Sequence, residues 1–140
     1  MAIDILKIVF GGFIASIVWF IIGSIFYTNP YISKLHKKFS NSLKIKQWKN
    51  TFLFLLVMYF VILLHCLLFA FVYSFIKPVL PGAVFANGIF FGLILIAVSQ
   101  IPDISTRWVL TTYPNQLLFV DIINGIAGSL IIGLTLALTI

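Results

Sequence analysis

The sequence has no glutamate, only three aspartates and a single cysteine, Cys66, among its 140 residues. With so few carboxylates, catalysis by a carboxylate pair is nearly excluded. One thiol cannot form an intramolecular disulfide, and it lacks the second cysteine that a redox pair or a structural zinc site requires. Because Cys66 lies within an apolar run, we predict that it is a small core residue.

Motifs that carry common chemistry are also missing. The chain has no phosphate-binding loop, no glycine-rich dinucleotide motif, no HExxH zinc pair and no nucleophile elbow. The two histidines, His36 and His65, lie in different kinds of segment, a basic one and an apolar one, and are not expected to share a ligand sphere. We therefore expect no enzymatic activity, no catalytic residue, no cofactor and no metal site.

Charged residues make up 9% of the chain and hydrophobic residues 62%, whereas roughly a quarter of the residues in soluble domains are charged. So few charges cannot cover the surface of a small soluble fold, which leaves much of its chain exposed. This composition predicts an integral membrane protein, for which the lipid bilayer is the surrounding solvent.

Four apolar runs, at about 5–27, 51–76, 82–101 and 115–139, are long enough to cross the membrane, since a helix needs about 20 residues to span the hydrocarbon. Strands are excluded because open sheet edges cannot be satisfied in lipid and four spans do not close a barrel. Breakers such as Pro30, Pro78 and Pro102 punctuate the runs. We predict an all-α, single-domain membrane bundle of four helices.

The formal charge of +6 is concentrated between the first two runs. Its clustering there indicates contact with anionic lipid headgroups, and without a recognised module we expect no nucleic-acid binding. Arg107 joins this side, whereas Lys7 and Lys77 lie on the other. By the positive-inside rule we predict a multi-pass protein of the cell membrane with both termini outside. The lysines of the cluster are Lys34, Lys37, Lys38, Lys44, Lys46 and Lys49.

The basic segment, residues 31–50, also has an apolar periodicity. Ile32, Leu35, Phe39 and Leu43 recur at helical spacing, which predicts an amphipathic interfacial helix on the cytoplasmic side. The lysines on its other faces are expected to contact lipid headgroups; they are Lys34, Lys37, Lys38 and Lys44. The alternative is a topology signal that happens to be amphipathic.

Small residues mark helix-packing faces in three of the spans. The fourth run carries Asp121, Gly125, Ser129, Gly133 and Ala137 at every fourth position, a pattern that lets helix backbones approach closely. The face predicts tight packing of the bundle and allows a homo-oligomer; a substrate path along these grooves is the alternative. Further packing positions are Gly88 and Gly92 in the third run and Gly12 and Ser16 in the first.

Asp121 is the most informative polar residue, because a carboxylate at membrane depth is costly unless it is paired, hydrated or protonated. Asn124, three residues on, shares its helix face, and His65 lies near the middle of the second run. These three residues form a candidate polar intramembrane site, with a proton relay from Asp121 to His65 as its sharpest form. The alternatives are local pairing of Asp121, with Arg107 or a lysine, and a histidine that is hydrogen-bonded in the core.

Residues at two places resemble a family of small bacterial four-span membrane proteins, domain of unknown function 1761. That family shows a Trp-Tyr-x-Pro-like element followed by an interfacial helix, although here the Trp and the Tyr are separated. The resemblance implies a four-span fold and a membrane location, without an established substrate. The residues that carry it are Trp19, Gly23, Phe26, Tyr27 and Pro30 with the segment to Phe39, then Arg107, Trp108, Asp121, Gly125 and Gly128.

Two classes of function fit these features. The first is a non-enzymatic packing or interaction protein, a helix bundle whose basic surface helix binds anionic lipid. The second is a small transporter or channel with Asp121, Asn124 and His65 along a polar path.

Overall fold

A computed structural model describes residues 4–40 and 48–140, and that part of the chain is built from helices joined by short turns and loops. A 3₁₀ turn covers Lys77–Val79 and a π-helical turn covers Ile96–Gln100. The helices are α1 (Ile5–Thr28), α2 (Pro30–Phe39), α3 (Thr51–Ile76), α4 (Val84–Leu95), α5 (Ile101–Leu110) and α6 (Asn115–Thr139).

Four helical segments are long and apolar enough to cross a membrane: Ile5–Thr28, Thr51–Val79, Val84–Leu110 and Asn115–Thr139. Their outward surfaces are apolar, as the exposed side chains of Phe52, Leu64 and Phe75 on α3 show. Such surfaces are stable in lipid and would associate in water. The all-helical class is thus confirmed, together with four helices that are long and apolar enough to cross a membrane.

Polar side chains begin three of the helices. The Oδ1 atom of Asp4 accepts from the backbone N–H of Lys7 at 3.3 Å at the start of α1. Asn29 precedes Pro30 and accepts from the N–H of Tyr31 at 3.0 Å, which starts α2. Asn50 starts α3 in the same way. These contacts satisfy backbone donors that have no partner within the helix.

The third span differs from its predicted bounds of 82–101, because it continues through Pro102 to Leu110. Proline lacks an N–H and its ring collides with the carbonyl four residues earlier, here that of Val98. The helix widens into the π turn directly before Pro102, and Ile101 donates its N–H to the carbonyl of Ile96. A π turn relieves the conflict without ending the helix, so the predicted break is a bulge. The fourth span has the predicted bounds.

Helix α6 lies at the centre of the bundle, packed against α4 on one side and α1 on the other, while α3 packs mainly on α1. The α4–α6 contact is close because three predicted packing residues meet there. A Cβ on Gly92 would lie 2.9 Å from the Leu130 Cα and 3.0 Å from the Ser129 carbonyl, and one on Gly88 would lie 2.8 Å from the Leu134 Cα. Backbone therefore meets backbone along this seam.

The other predicted packing residues lie at the remaining contacts. Gly12 faces the α3 backbone, since a Cβ on Gly12 would lie 3.0 Å from the Leu67 Cα. Ser16 is fully buried, donates to the Phe13 carbonyl at 2.7 Å and lies 3.4 Å from the Tyr59 hydroxyl of α3. Cys66 is 1% exposed in the core, which confirms its predicted role.

The small-residue face of α6 is covered within the chain. Gly125 and Gly133 are buried, and Ser129 and Ala137 are 5% and 8% exposed. The partner of this face is α4 together with the π turn, so a homo-oligomer would have to use a different surface.

Replacement by alanine should lower the stability of the protein at Gly133, on the α4–α6 seam, but not at Gly23, which lies away from it. A Cβ on Gly133 would contact the Gly88 carbonyl and lie 2.7 Å from the Gly92 nitrogen, whereas a Cβ on Gly23 meets nothing within 4 Å. We expect Gly133→Ala to lower the free energy of unfolding by about 1–3 kcal/mol through overpacking. Gly23→Ala should leave it unchanged or raise it by up to about 1 kcal/mol, because alanine favours the helix.

Thermal and denaturant unfolding of both variants in the same detergent measures this contrast. Equal stabilities of the two variants would show that the α4 and α6 backbones are not in contact at this seam.

Candidate functional site

Asp121 lies in the second turn of α6, where the end of α1, the end of α5 and the loop before α6 come together. Its Oδ1 accepts from the Tyr27 hydroxyl at 3.1 Å, and its Oδ2 accepts from the Tyr113 hydroxyl at 2.7 Å and from Arg107 Nη1 at 3.3 Å. Both carboxylate oxygens therefore have donors. We refer to Asp121, Tyr27, Arg107 and Tyr113 as the Asp121 cluster.

Arg107 is shared between two carboxylates. Its Nη2 lies 2.7 Å from Asp103 Oδ2 in a pair one helical turn apart on α5, and its Nη1 reaches Asp121 on α6. The Asp121 side chain is 16% exposed and that of Asp103 is 51% exposed. Because solvent screens exposed pairs more strongly, the contact with Asp121 matters more for holding α5 on α6. The pairing with Arg107, one of the alternatives raised by the sequence, is therefore present.

Tyr113 connects the loop before α6 to this cluster. Burial raises the pKa of its phenol above the usual value of 10, and the hydrogen bond to Asp121 and the charge of that carboxylate raise it further. Tyr113 therefore remains a neutral donor at physiological pH. The Arg107 guanidinium lies 6.0 Å from the centre of the Tyr113 ring, which adds a cation–π contact.

Asn124 joins the Asp121 cluster through a tyrosine. Its Nδ2 donates to the Tyr27 hydroxyl at 3.3 Å, and that hydroxyl donates to Asp121. The predicted association of Asn124 with Asp121 is therefore indirect, through a side chain on α1. The Tyr27 ring also packs edge-on against His36 of α2, with centroids 5.5 Å apart.

His65 lies apart from the Asp121 cluster. Its Nδ1 is 2.8 Å from the Val61 carbonyl, one turn earlier on α3, so this nitrogen carries the proton and the bond stays within one helix. In the described residues no hydrogen bond connects His65 to Asp121 or Asn124. The structure therefore brings together two of the three residues of the candidate site and leaves the third on a separate cavity, which His65 lines with Gly125 and Ser129.

Sequence reasoning missed Tyr27 and Tyr113 as members of the site. Tyr113 could have been found, since it lies eight residues before Asp121 across a short turn that ends at Pro114. Nothing in the sequence brings Tyr27 to Asp121, because these residues are 94 positions apart and meet only when α1 packs on α6.

Three of the four basic residues predicted to contact lipid lie on α2. Lys34, Lys37 and Lys38 are exposed there, and Lys44 lies outside the described residues. Within residues 4–40 and 48–140, no group of three or more His, Cys, Asp or Glu side chains is placed to hold a metal ion.

The arrangement of donors around Asp121 favours a structural role. Both oxygens of this carboxylate accept hydrogen bonds from side chains on other parts of the fold, as buried polar groups in a stable structure do. Arg107 balances part of this charge, since it also pairs with Asp103. The cluster thus joins α1, α5 and α6 at one end of the bundle.

Comparison with known proteins adds no relative. No protein-family model, no curated protein and no solved structure matches the chain.

Neutralising each of the two carboxylates that pair with Arg107 should lower the free energy of unfolding by a different amount. Asp121→Asn places an amide N–H₂ among donors that need an acceptor, and we expect it to lower the free energy of unfolding by about 1–3 kcal/mol. Asp103→Asn, the control, disturbs an exposed pair and should cost less than about 1 kcal/mol. Thermal unfolding in one lipid mixture measures both values, and equal losses would contradict the structural role of Asp121.

Proposed function

We propose that this protein is a non-enzymatic, lipid-associated helix bundle of the cell membrane, in which α2 lies in the headgroup plane and binds anionic lipid. The observation that carries the proposal is the division of α2 into an inward apolar side and an outward basic side. The function rests on this surface helix, and the four spans and the Asp121 cluster hold it in place.

The inward side of α2 packs on the bundle. Ile32 is buried, Leu35 and Phe39 are half-buried, and the helix contacts both α1 and α6. A short helix that follows a span directly, with its apolar side fixed, is suited to lie along the membrane surface. Its N-terminal turn is closed by Asn29, which places α2 immediately after the end of α1.

The outward side of α2 has cations that the aspartates of the chain do not neutralise. Asp4 pairs with Lys7, and Asp103 and Asp121 both pair with Arg107. Over the described ranges, the lysines of α2 form no ion pair with a carboxylate. Lipid phosphates are the natural partners for such lysines, with about 1 kcal/mol gained per basic residue near an anionic surface.

The distribution of charge supports one orientation. The end of the bundle with α2 also has Arg107, and the opposite end has Lys7 and Lys77 near Gly82 and Ile140. By the positive-inside rule the α2 end is cytoplasmic and both termini face outside. The resemblance to the four-span family of unknown function implies the same kind of fold and location and remains part of this proposal.

The alternative, a small transporter or channel, has less support. It needs Asp121, Asn124 and His65 along one path, whereas the first two are bonded to Tyr27 and His65 is bonded to its own helix. Tyr27, Tyr113 and Arg107 already donate to the Asp121 oxygens, so they would compete with a transported cation for this carboxylate.

Anionic lipid should stabilise the protein through α2. We expect phosphatidylglycerol, added to nanodiscs of zwitterionic lipid, to raise the Tm, because a ligand that binds only the folded state stabilises it. Replacing Lys34, Lys37 and Lys38 together by Gln should remove most of that rise. Lys7→Gln with Lys77→Gln is the control, since Lys7 pairs with Asp4 and Lys77 donates to the Ile140 carbonyl at 2.6 Å. An undiminished rise in the triple variant would refute the lipid role of α2.

The orientation can be tested with single cysteines in a Cys66→Ser background, since Cys66 is the one cysteine of the chain. A membrane-impermeant maleimide should label Lys77→Cys in intact cells and Lys37→Cys only after permeabilisation. Labelling of Lys37→Cys in intact cells would reverse the proposed orientation.

A further inference from the structure

A half-open cavity of about 290 Å³ lies at mid-depth, between α1, α3, α6 and the π turn, and opens to the surface of the bundle beside the exposed His65. Its walls are mostly apolar, with Trp19 among them. Four polar side chains open onto it: His65 from α3, Ser99 and Gln100 from the π turn, and Ser129 from α6. We refer to this space as the midspan cavity.

Three of the four polar side chains on the midspan cavity have no hydrogen-bond partner among the described residues. Across the described part of the chain, the side chains of Ser99, Gln100 and Ser129 form no hydrogen bond with the protein. His65 donates from Nδ1 to the Val61 carbonyl, and its Nε2 has no hydrogen-bond partner among the described residues. Most other hydroxyls in the spans behave differently, as when Ser24 and Thr135 bond to the carbonyl one turn earlier. The midspan cavity is therefore lined by several polar side chains that have unused hydrogen-bonding capacity.

The surrounding backbone makes room for this arrangement. A Cβ on Gly125 would contact the Gln100 amide, and a Cβ on Gly128 would contact the Trp19 indole. These two glycines let the Gln100 amide and the Trp19 indole lie directly against α6. The π turn before Pro102 holds Ser99 and Gln100 on the cavity wall, and π turns in helices often occur at functional sites.

The surroundings restrict what the cavity can hold. Hydrocarbon cannot satisfy open amide and hydroxyl groups, so an occupant must form hydrogen bonds with them. No Asp, Glu, Lys or Arg lines the cavity, and a charged solute would have no counter-ion there. The volume exceeds that of one water several-fold, since a water occupies about 30 Å³.

We propose that the midspan cavity is a binding site for a small uncharged solute of the amide class, which would bond to Gln100, Ser99 and Ser129 and pack on Trp19. An amide has both a donor and an acceptor, as the Gln100 side chain does, so the two can pair reciprocally. This site is separate from α2 and from the Asp121 cluster, and it goes beyond the lipid association proposed above.

Trp19 provides the readout. Trp48→Phe with Trp108→Phe leaves Trp19 as the only tryptophan, because the chain has three. Acrylamide, itself a small neutral amide, quenches indole fluorescence on contact. In nanodiscs we expect saturable quenching of Trp19 by acrylamide and none by iodide. Gln100→Leu should weaken binding and raise the half-saturating concentration of acrylamide about tenfold, which corresponds to the loss of one or two hydrogen bonds.

Matched variants separate binding from misfolding. Ser129→Ala removes one hydroxyl with little change in volume and should weaken acrylamide binding without a change in Tm. Gln116→Leu makes the same exchange as Gln100→Leu at an exposed site at the start of α6 and should have no effect. Replacing the three lysines of α2 should also leave the quenching unchanged, so failure of the lipid proposal would not affect this test.

Three results would overturn the proposal. Quenching that rises linearly with acrylamide and ignores both cavity variants would show a space that holds water alone. Quenching by brominated lipid chains but not by acrylamide would show that lipid fills the cavity. Equal quenching by iodide would show that the site does not select uncharged solutes.

Discussion

Hydrocarbon offers no hydrogen bonds, so each polar group within the spans must find its partner in the chain or in something the chain binds. The helices satisfy the backbone in this way. Ser16, Ser24 and Thr135 satisfy their hydroxyls by bonding to carbonyls on their own helices. Asp121 reaches across the bundle for donors because no neighbour on α6 can supply enough of them. This requirement explains why the polar side chains of such an apolar protein are concentrated at a few points.

Close packing of the helix backbones brings polar side chains from different helices together. Hydrophobicity does little to hold helices together in lipid, so contact depends on shape, and small residues bring α4 against α6. The same seam positions the π turn beside α6. Gly125 shows how this changes the meaning of a sequence pattern: it belongs to the small-residue stripe, but it accommodates the Gln100 side chain and not a helix backbone. One stripe therefore serves both packing and the midspan cavity.

The two polar regions of the bundle contrast in how they are satisfied. Near the α2 end, the Asp121 carboxylate accepts hydrogen bonds from Tyr27, Tyr113 and Arg107, so both of its oxygens have donors in the chain. At mid-depth, Ser99 and Gln100 lie with open donors and acceptors on the midspan cavity. Polar groups that are hydrogen-bonded to the chain stabilise the fold, whereas polar groups without partners in the chain can bind a solute. This difference, more than the presence of charge, distinguishes a structural polar site from a candidate ligand site.

The sequence by itself determined the all-helical class and the four helices that are long and apolar enough to cross a membrane, since both follow from local composition and periodicity. It also identified Asp121 as a residue in need of partners and the small residues as packing positions. Only the tertiary structure decided which partners Asp121 obtained, because Tyr27 is distant along the chain and arrives with α1. It also decided that His65 faces a different cavity and that Pro102 widens a helix without ending it. Local sequence patterns show which residues require hydrogen-bond partners or close packing, but the packing of the helices decides which segments provide those contacts.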